Sequence, residues 1–120
     1  MITSYSDLFV WQKSMNLVVE IYKLTESFPK NEQYGIISQM RRAAVSIPSN
    51  IAEGRKRGSK KEFKHFLIIA YGSGAELETQ IEITKRLNYA DPKKYTAIDS
   101  LLLEVMKMLN KLSSSLQPNS

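Results

Sequence analysis

The sequence contains no cysteine and only one histidine among its 120 residues. The missing thiols exclude disulfide bonds, thiol catalysis and cysteine-based metal sites, and a single imidazole, that of His65, does not make a metal cluster. No stretch approaches the run of about 20 apolar residues that a membrane-spanning helix needs, and the N-terminal segment lacks the pattern of a signal peptide. We therefore expect a cytoplasmic protein with no membrane anchor, no metal and no cofactor.

Acidic residues are scarce where the basic residues concentrate. The chain has 17 lysines and arginines against 12 aspartates and glutamates, a net charge of +5. Residues 41–64 hold eight of the bases and only two acids, Glu53 and Glu62. A local excess of positive charge is the electrostatic pattern of polyanion binding. The residues predicted to bind nucleic acid are Arg41, Arg42, Arg55, Lys56, Arg57, Lys60, Lys61 and Lys64.

Strand patterns are absent, and apolar residues recur at helical spacing along the whole chain. The spacing predicts helices over approximately residues 7–27, 32–57, 60–88 and 92–115. Their short connections favour antiparallel neighbours, so the predicted fold is an all-α, up-down-up-down four-helix bundle in a single domain, residues 1–120. The predicted core comprises Trp11, Met15, Ile47, Leu67, Ala70, Ile81, Leu102 and Leu109.

Capping residues and helix breakers refine this pattern. The predicted start signals are Ser6 or Asp7 for the first helix, Asn31 with Glu32 for the second, the capping box of Ser59 and Glu62 for the third, and Asp91 with Pro92 for the fourth. Pro48 lies inside the second helix and predicts a kink. Gly72 and Gly74 lie inside the third helix, where each costs about 1 kcal/mol relative to alanine. Both predict the close approach of another helix, within the bundle or from a neighbouring subunit.

Candidate catalytic groups are few. Glu53 would need a second carboxylate or a histidine nearby to act as an acid or base, and the spacing supplies neither. We interpret Glu53 as an ion-pair partner of Arg41, Arg42 or a neighbouring subunit. His65 is too far from Arg57 for the arginine–histidine element of helical RNases of the HEPN type, and we interpret it as a core or boundary residue. No catalytic residue is predicted.

Three stretches together resemble a known family: "VWQKSMNLVVEIYKLTESFP", "SQMRRAAVSIPSNIAEG" and "GSKKEFKHFLIIAYGSGAELETQ". They are similar to the four helix bundle proteins of the 23S rRNA intervening-sequence family, also labelled S23 ribosomal proteins, from about Leu8 to Leu116. The resemblance implies a ring-like homopentamer without enzymatic activity. A related accessory protein of diversity-generating retroelements, similar in fold, implies nucleic-acid binding. Gly74 departs from the larger residue that relatives often carry there.

Two functions stay open. In the first, a non-enzymatic oligomer presents a basic surface to nucleic acid, RNA or DNA, with structured RNA favoured. In the second, the protein is a structural or protein-interaction module whose bases meet acids of a neighbouring subunit, with an acidic face of Glu76, Glu78 and Glu82 as their partner. Both functions predict self-assembly, because the apolar faces of the first and third helices are wider than the face that one helix–helix contact covers.

Overall fold

The computed structural model describes residues 4–5 and 8–116 and contains four α-helices. They are α1 (Phe9–Glu26), α2 (Ile36–Lys56), α3 (Lys60–Arg86) and α4 (Thr96–Ser115). No β-strand occurs in this part of the chain, so the all-α prediction is confirmed. Within the same ranges, no helix combines the length and the hydropathy that a membrane crossing requires.

Each helix packs against two neighbours, so that the four helices surround one core. α1 and α3 each contact both α2 and α4, and the bundle measures 49 × 24 × 23 Å. Arg41, near the start of α2, reaches Thr25, near the end of α1. Lys85, near the end of α3, pairs with Asp99, near the start of α4. These contacts fit antiparallel neighbours in the predicted up-down-up-down order.

The core follows the apolar stripes predicted for α2, α3 and α4. The predicted core residues that are buried are Ile47, Leu67, Ala70, Ile81, Leu102 and Leu109. Trp11 is half-buried and packs against the core. Met15 is 40% exposed, so its prediction as a core residue is wrong. The reason is that α1 carries two adjacent apolar stripes, and it buries the other one, which consists of Val10, Leu17, Ile21, Leu24 and Phe28.

One predicted helix start is confirmed by a hydrogen bond. The Oγ atom of Ser59 accepts a hydrogen bond from the backbone N–H of Glu62 at 3.1 Å, and α3 begins at Lys60, directly after Ser59. This bond satisfies one of the free N–H groups of the first helical turn. The predicted capping residues of α1, Ser6 and Asp7, lie outside the described residues.

The second and fourth helices begin later than predicted, because short 3₁₀ turns occupy the predicted starts. Asn31 and Glu32 belong to the turn Lys30–Glu32, and α2 begins only after Gly35. The Asp91 carboxylate does accept a bond from the Lys93 N–H at 2.9 Å. It caps the turn Pro92–Tyr95, however, and α4 starts at the residue after that turn.

Pro48 does not interrupt α2, which continues through it. Asn50 lies close by, and its side-chain amide donates to the Ser46 carbonyl at 2.8 Å. The Ser46 hydroxyl lies 2.8 Å from the hydroxyl of Ser73, which links α2 to α3 at this level. The kink at Pro48 stays a prediction.

The glycines inside the helices differ in what surrounds them. A Cβ atom built on Gly74 would collide with the sulfur of Met106, so α3 and α4 approach closely there, as predicted. No helix of the bundle approaches Gly72, because a Cβ there would have no atom within 4 Å in this chain. The approach of a neighbouring subunit at Gly72 stays a prediction. Gly54 lies inside α2, where a Cβ would be 2.6 Å from the Cβ of Phe66 on α3.

Tyr89 lies in the α3–α4 connection and contacts the α1–α2 connection, at the end of the bundle opposite the α2–α3 turn. Its hydroxyl donates a hydrogen bond to the Glu32 carboxylate at 2.5 Å, and its ring packs on Phe28 with centroids 5.5 Å apart. The hydrogen bond to Glu32, followed by burial and the charge of the same carboxylate, raises the pKa of Tyr89 above its ordinary value of 10.0. The neutral hydroxyl is therefore the form that the folded state favours.

Replacing Tyr89 by phenylalanine tests this link, because it keeps the ring and removes the hydroxyl. We expect a lower midpoint of thermal unfolding at pH 7, by less than in the glycine variant discussed below. A raised folded pKa means that the hydroxyl stabilises fully below the unfolded pKa of 10.0, and that this contribution is lost as pH rises through the folded pKa. The difference in unfolding midpoint between wild type and Tyr89→Phe should therefore become smaller above about pH 10. A difference that stays constant up to about pH 11 would contradict the role of Glu32.

Candidate nucleic-acid interface

The connection between α2 and α3 gathers most of the predicted binding residues at one end of the bundle. α2 ends at Lys56 and α3 begins at Lys60, so the chain reverses within a few residues. Gly58 has a φ of 85°, in the left-handed region that glycine adopts without a steric penalty. The surface formed here, called the basic turn below, comprises Arg55, Lys56, Arg57, Lys60, Lys61 and Lys64.

The basic turn is largely exposed, and three of its lysines have no ion pair among the described residues. Only Arg55 and Lys64 are half-buried. In the part of the chain that the structure describes, Lys60, Lys61 and Lys64 take part in no ion pair. They lie at the start of α3, where the helix dipole disfavours positive charge. Three lysines without carboxylate partners in this position are therefore available to an external anion.

Arg57, a residue of the basic turn, forms an ion pair with Glu53. Its guanidinium binds the Glu53 carboxylate through Nε at 3.0 Å and Nη2 at 2.9 Å. The two residues are one helical turn apart, and both side chains are about half exposed. Glu53 thus pairs within its own helix end, and neither Arg41 nor Arg42 is its partner.

Aromatic rings lie beneath the basic turn, which the sequence interpretation missed. The guanidinium carbons of Arg55 and Arg57 lie 5.8 and 5.0 Å from the ring centres of Phe63 and Phe66. The Lys56 amine lies 5.9 Å from the ring centre of Tyr5. The register of α3 predicts one exposed ring beside these charges. Because Phe63 faces the core, the side chain two positions later, that of His65, faces outward.

His65 is that residue, and it is exposed. Its prediction as a core or boundary residue is therefore wrong. The imidazole packs edge-on against Phe66, with ring centroids 5.3 Å apart and an interplanar angle of 79°. Phe66 in turn is half-buried between α2 and α3. The basic turn therefore presents an exposed aromatic ring beside its charges.

Arg41 and Arg42 are separated from the basic turn by about 20 Å along α2, at 1.5 Å per residue. The Nε of Arg41 donates to the Thr25 hydroxyl at 2.9 Å, and Nη2 donates to the Tyr22 carbonyl at 3.4 Å. Its guanidinium also lies 4.4 Å from the ring centre of Tyr22. Arg41 therefore connects α2 to α1, whereas Arg42 is exposed and has no ion pair within residues 8–116.

The predicted acidic face of Glu76, Glu78 and Glu82 does not form on α3. Residues two apart on a helix differ by about 200° in direction, so Glu76 and Glu78 point to opposite sides. Glu76 accepts a bond from the Gln80 side chain at 3.3 Å, and Glu82 pairs with Arg86 at 3.1 Å. The described chain also holds no group of three histidine, aspartate or glutamate side chains arranged to bind a metal ion.

The outward side of α1 is apolar. Met15, Val19 and Tyr22 are 40%, 51% and 41% exposed and follow each other at helical spacing, and we call them the outer stripe of α1. Val45 on α2 and Ile68 on α3 are also exposed, at 40% and 56%. Exposed apolar side chains that lie together are candidates for a contact surface.

A family model and a solved structure both relate the chain to one protein family. A family model described as 23S rRNA-intervening sequence protein matches residues 6–111. The fold is similar to the crystal structure of a protein with unknown function from the S23 ribosomal protein family of Bacteroides thetaiotaomicron, with a TM-score of 0.76 and 29% sequence identity. The match covers 87% of this chain and 97% of that chain. No curated protein matches the sequence.

Proposed function

Because the chain belongs to the 23S rRNA-intervening sequence protein family, as the resemblance predicted, we propose that it is a non-enzymatic, oligomeric bundle protein that binds nucleic acid, with structured RNA as the favoured ligand. The observation that carries the proposal is the group of Lys60, Lys61 and Lys64 at the start of α3, which has no ion pair within the described residues. The similar structure from Bacteroides is of unknown function, and the charges of this chain are what supports nucleic-acid binding.

The charges of the basic turn suit phosphate groups. Each phosphate that a lysine neutralises releases condensed counterions, which favours binding at low salt. Exposed lysines lose little hydration when they meet a phosphate at the surface. The sequence holds no recognisable groove-reading motif, so the contacts position the ligand rather than specify its sequence. Six bases clustered at one end of the bundle suit the closely spaced phosphates of a folded RNA.

Titration of a labelled, structured RNA at several salt concentrations tests the proposal. The logarithm of the affinity should fall linearly with the logarithm of the salt concentration, with a slope of about −0.7 to −0.9 for each phosphate contacted. RNAs of equal structure and different sequence should bind alike. Absence of binding near about 100 mM salt, or binding that does not depend on salt, would refute the proposal.

We also propose that the protein self-associates, as the pentamer that the family resemblance implies. The outer stripe of α1 supports self-association, because a second subunit would remove its three apolar side chains from water. The same stripe favours the second function considered for this chain, a structural or protein-interaction module without a nucleic-acid role. In that module the basic residues would serve subunit contacts. The two functions differ in whether RNA binds at all.

Replacing Val19 by lysine tests self-association. Val19 is 51% exposed in the isolated chain, so a charge there leaves the bundle folded. In an apolar interface the same charge is costly, and we expect dissociation to the 13.7 kDa monomer at micromolar concentration in analytical ultracentrifugation. The monomer should also bind RNA more weakly, because repeated basic turns no longer act together.

The matched control is Ser100→Lys, which places the same charge at an exposed position of α4, outside the outer stripe of α1. This variant should sediment like the wild type. If Val19→Lys also sediments like the wild type, the outer stripe of α1 is not the interface. A monomeric wild-type protein would refute self-association altogether.

A further inference from the structure

We propose that Arg57, Phe66 and His65 form a stacking site for an unpaired nucleobase at the edge of the basic turn. The inference rests on the proposed nucleic-acid binding and narrows its ligand to RNA that presents unpaired bases, as loops and bulges do. The three side chains are contiguous. Arg57 lies 5.0 Å from the ring centre of Phe66, and the His65 ring lies 5.3 Å from it.

The exposure of these groups distinguishes them from core packing. Phe63 also lies beneath an arginine of the basic turn, but it is only 6% exposed and belongs to the core. His65 is exposed, and within the described residues it makes no hydrogen bond or ion pair, only the ring contact with Phe66. An imidazole turned out to solvent contributes little to the stability of the bundle, and its π-face is open to a ligand.

The site is held in place before a ligand arrives. The register of α3 sets the side from which the imidazole projects, and the ring packs against Phe66. The Glu53 carboxylate holds Nε and Nη2 of Arg57, which sets the plane of the guanidinium over the same ring. Holding flat groups in a binding orientation lowers the entropy lost when a ligand binds.

Phosphate contacts lie at the right distance for a nucleotide. Lys61 precedes His65 by one helical turn, so that the two side chains are neighbours on one side of α3, with Cβ atoms about 5–6 Å apart. Both are exposed. A base stacked on the imidazole therefore places its own backbone phosphate within reach of the Lys61 amine.

This arrangement selects single-stranded elements over duplex. RNA recognition commonly places splayed-out bases on histidine rings, other aromatic rings or arginine planes. Every base has a π-face, so stacking tolerates changes of sequence. In a duplex the bases are already stacked and paired, and the His65 ring cannot reach their faces. Duplex RNA would then contact only the lysines.

The test compares the full-length wild type with His65→Ala on two RNAs of equal length, a hairpin with an unpaired loop and a fully paired duplex. We expect the variant to bind the hairpin about tenfold more weakly and the duplex as before, because one stacked base is lost. The salt slope should not change, since no phosphate contact is removed. His65→Tyr should restore hairpin affinity. A 2-aminopurine base in the loop should be quenched by wild type and less so by His65→Ala.

The outcomes separate this site from the proposed function. If His65→Ala binds both RNAs like the wild type, while Lys61→Gln weakens both, the stacking site is refuted and nucleic-acid binding stands. An equal loss on hairpin and duplex also refutes it, because stacking acts only on unpaired bases. If the wild type binds neither RNA, the proposed function falls and the stacking site falls with it.

Discussion

Replacing Gly54 by alanine is expected to lower the free energy of unfolding by about 2 kcal/mol, the range of overpacked cores. The change runs against helix propensity, which favours alanine over glycine by about 1 kcal/mol. The added Cβ would lie 2.6 Å from the Cβ of Phe66 and 3.3 Å from the carbonyl oxygen of Phe63. Neither atom sits at the end of a flexible side chain, so rotation of a side chain cannot remove the clash. α2 and α3 must move apart just before the basic turn.

Gly72→Ala is the matched control, because Gly72 also lies inside a helix but a Cβ there meets no atom within 4 Å. This variant should be more stable than wild type by about 0.5–1 kcal/mol, the gain expected from helix propensity alone. Urea unfolding followed by circular dichroism measures both variants. A Gly54→Ala protein as stable as wild type would contradict the close packing of α2 on α3.

Replacing Lys60, Lys61 and Lys64 together by glutamine is expected to weaken RNA binding by about 10- to 100-fold near about 100 mM salt. These lysines have no ion pair in the described part of the chain. Their loss leaves no carboxylate unpaired, so the free energy of unfolding should stay within about 1 kcal/mol of that of wild type. Removing positive charge from the start of α3 also relieves repulsion from the helix dipole. Fluorescence anisotropy with a labelled RNA measures the affinity.

The control variant replaces Lys30, Lys93 and Lys94 by glutamine. These three lysines are exposed and lie in the two connections at the opposite end of the bundle, so the change in net charge is the same. Its RNA affinity should stay within about threefold of wild type, because contacts beyond a Debye length of about 10 Å are largely screened. Equal weakening by both variants would indicate general charge attraction instead of a local site.

The helices could be predicted from sequence because their signals are local. The apolar stripe of α3 repeats at every helical turn and its cap at Ser59 belongs to the first one, and the structure confirms both. Met15 could not be assigned in this way, since α1 carries two apolar stripes. Which of them faces the core depends on where α2 and α4 lie, and no spacing within α1 contains that information.

In the candidate site, too, features that depend on nearby residues in the sequence could be predicted, and contacts between helices could not. The basic turn was predictable because its charges are close together in sequence. The role of Arg41 was not, because its partners Tyr22 and Thr25 lie on another helix. The packing role of Gly54 depends likewise on Phe66 across the turn. The exposure of His65 followed from the register of α3, and the sequence interpretation did not apply that register to it.

The most direct test of nucleic-acid binding by the basic turn is the salt dependence of RNA affinity for wild type and the two charge-matched lysine variants. The wild type and the Lys30, Lys93 and Lys94 variant should share one steep slope of log affinity against log salt. The slope of the Lys60, Lys61 and Lys64 variant should be shallower by at least about 2, since each lost phosphate contact removes about 0.7–0.9. Three identical slopes, or no measurable binding by the wild type, would contradict the proposal.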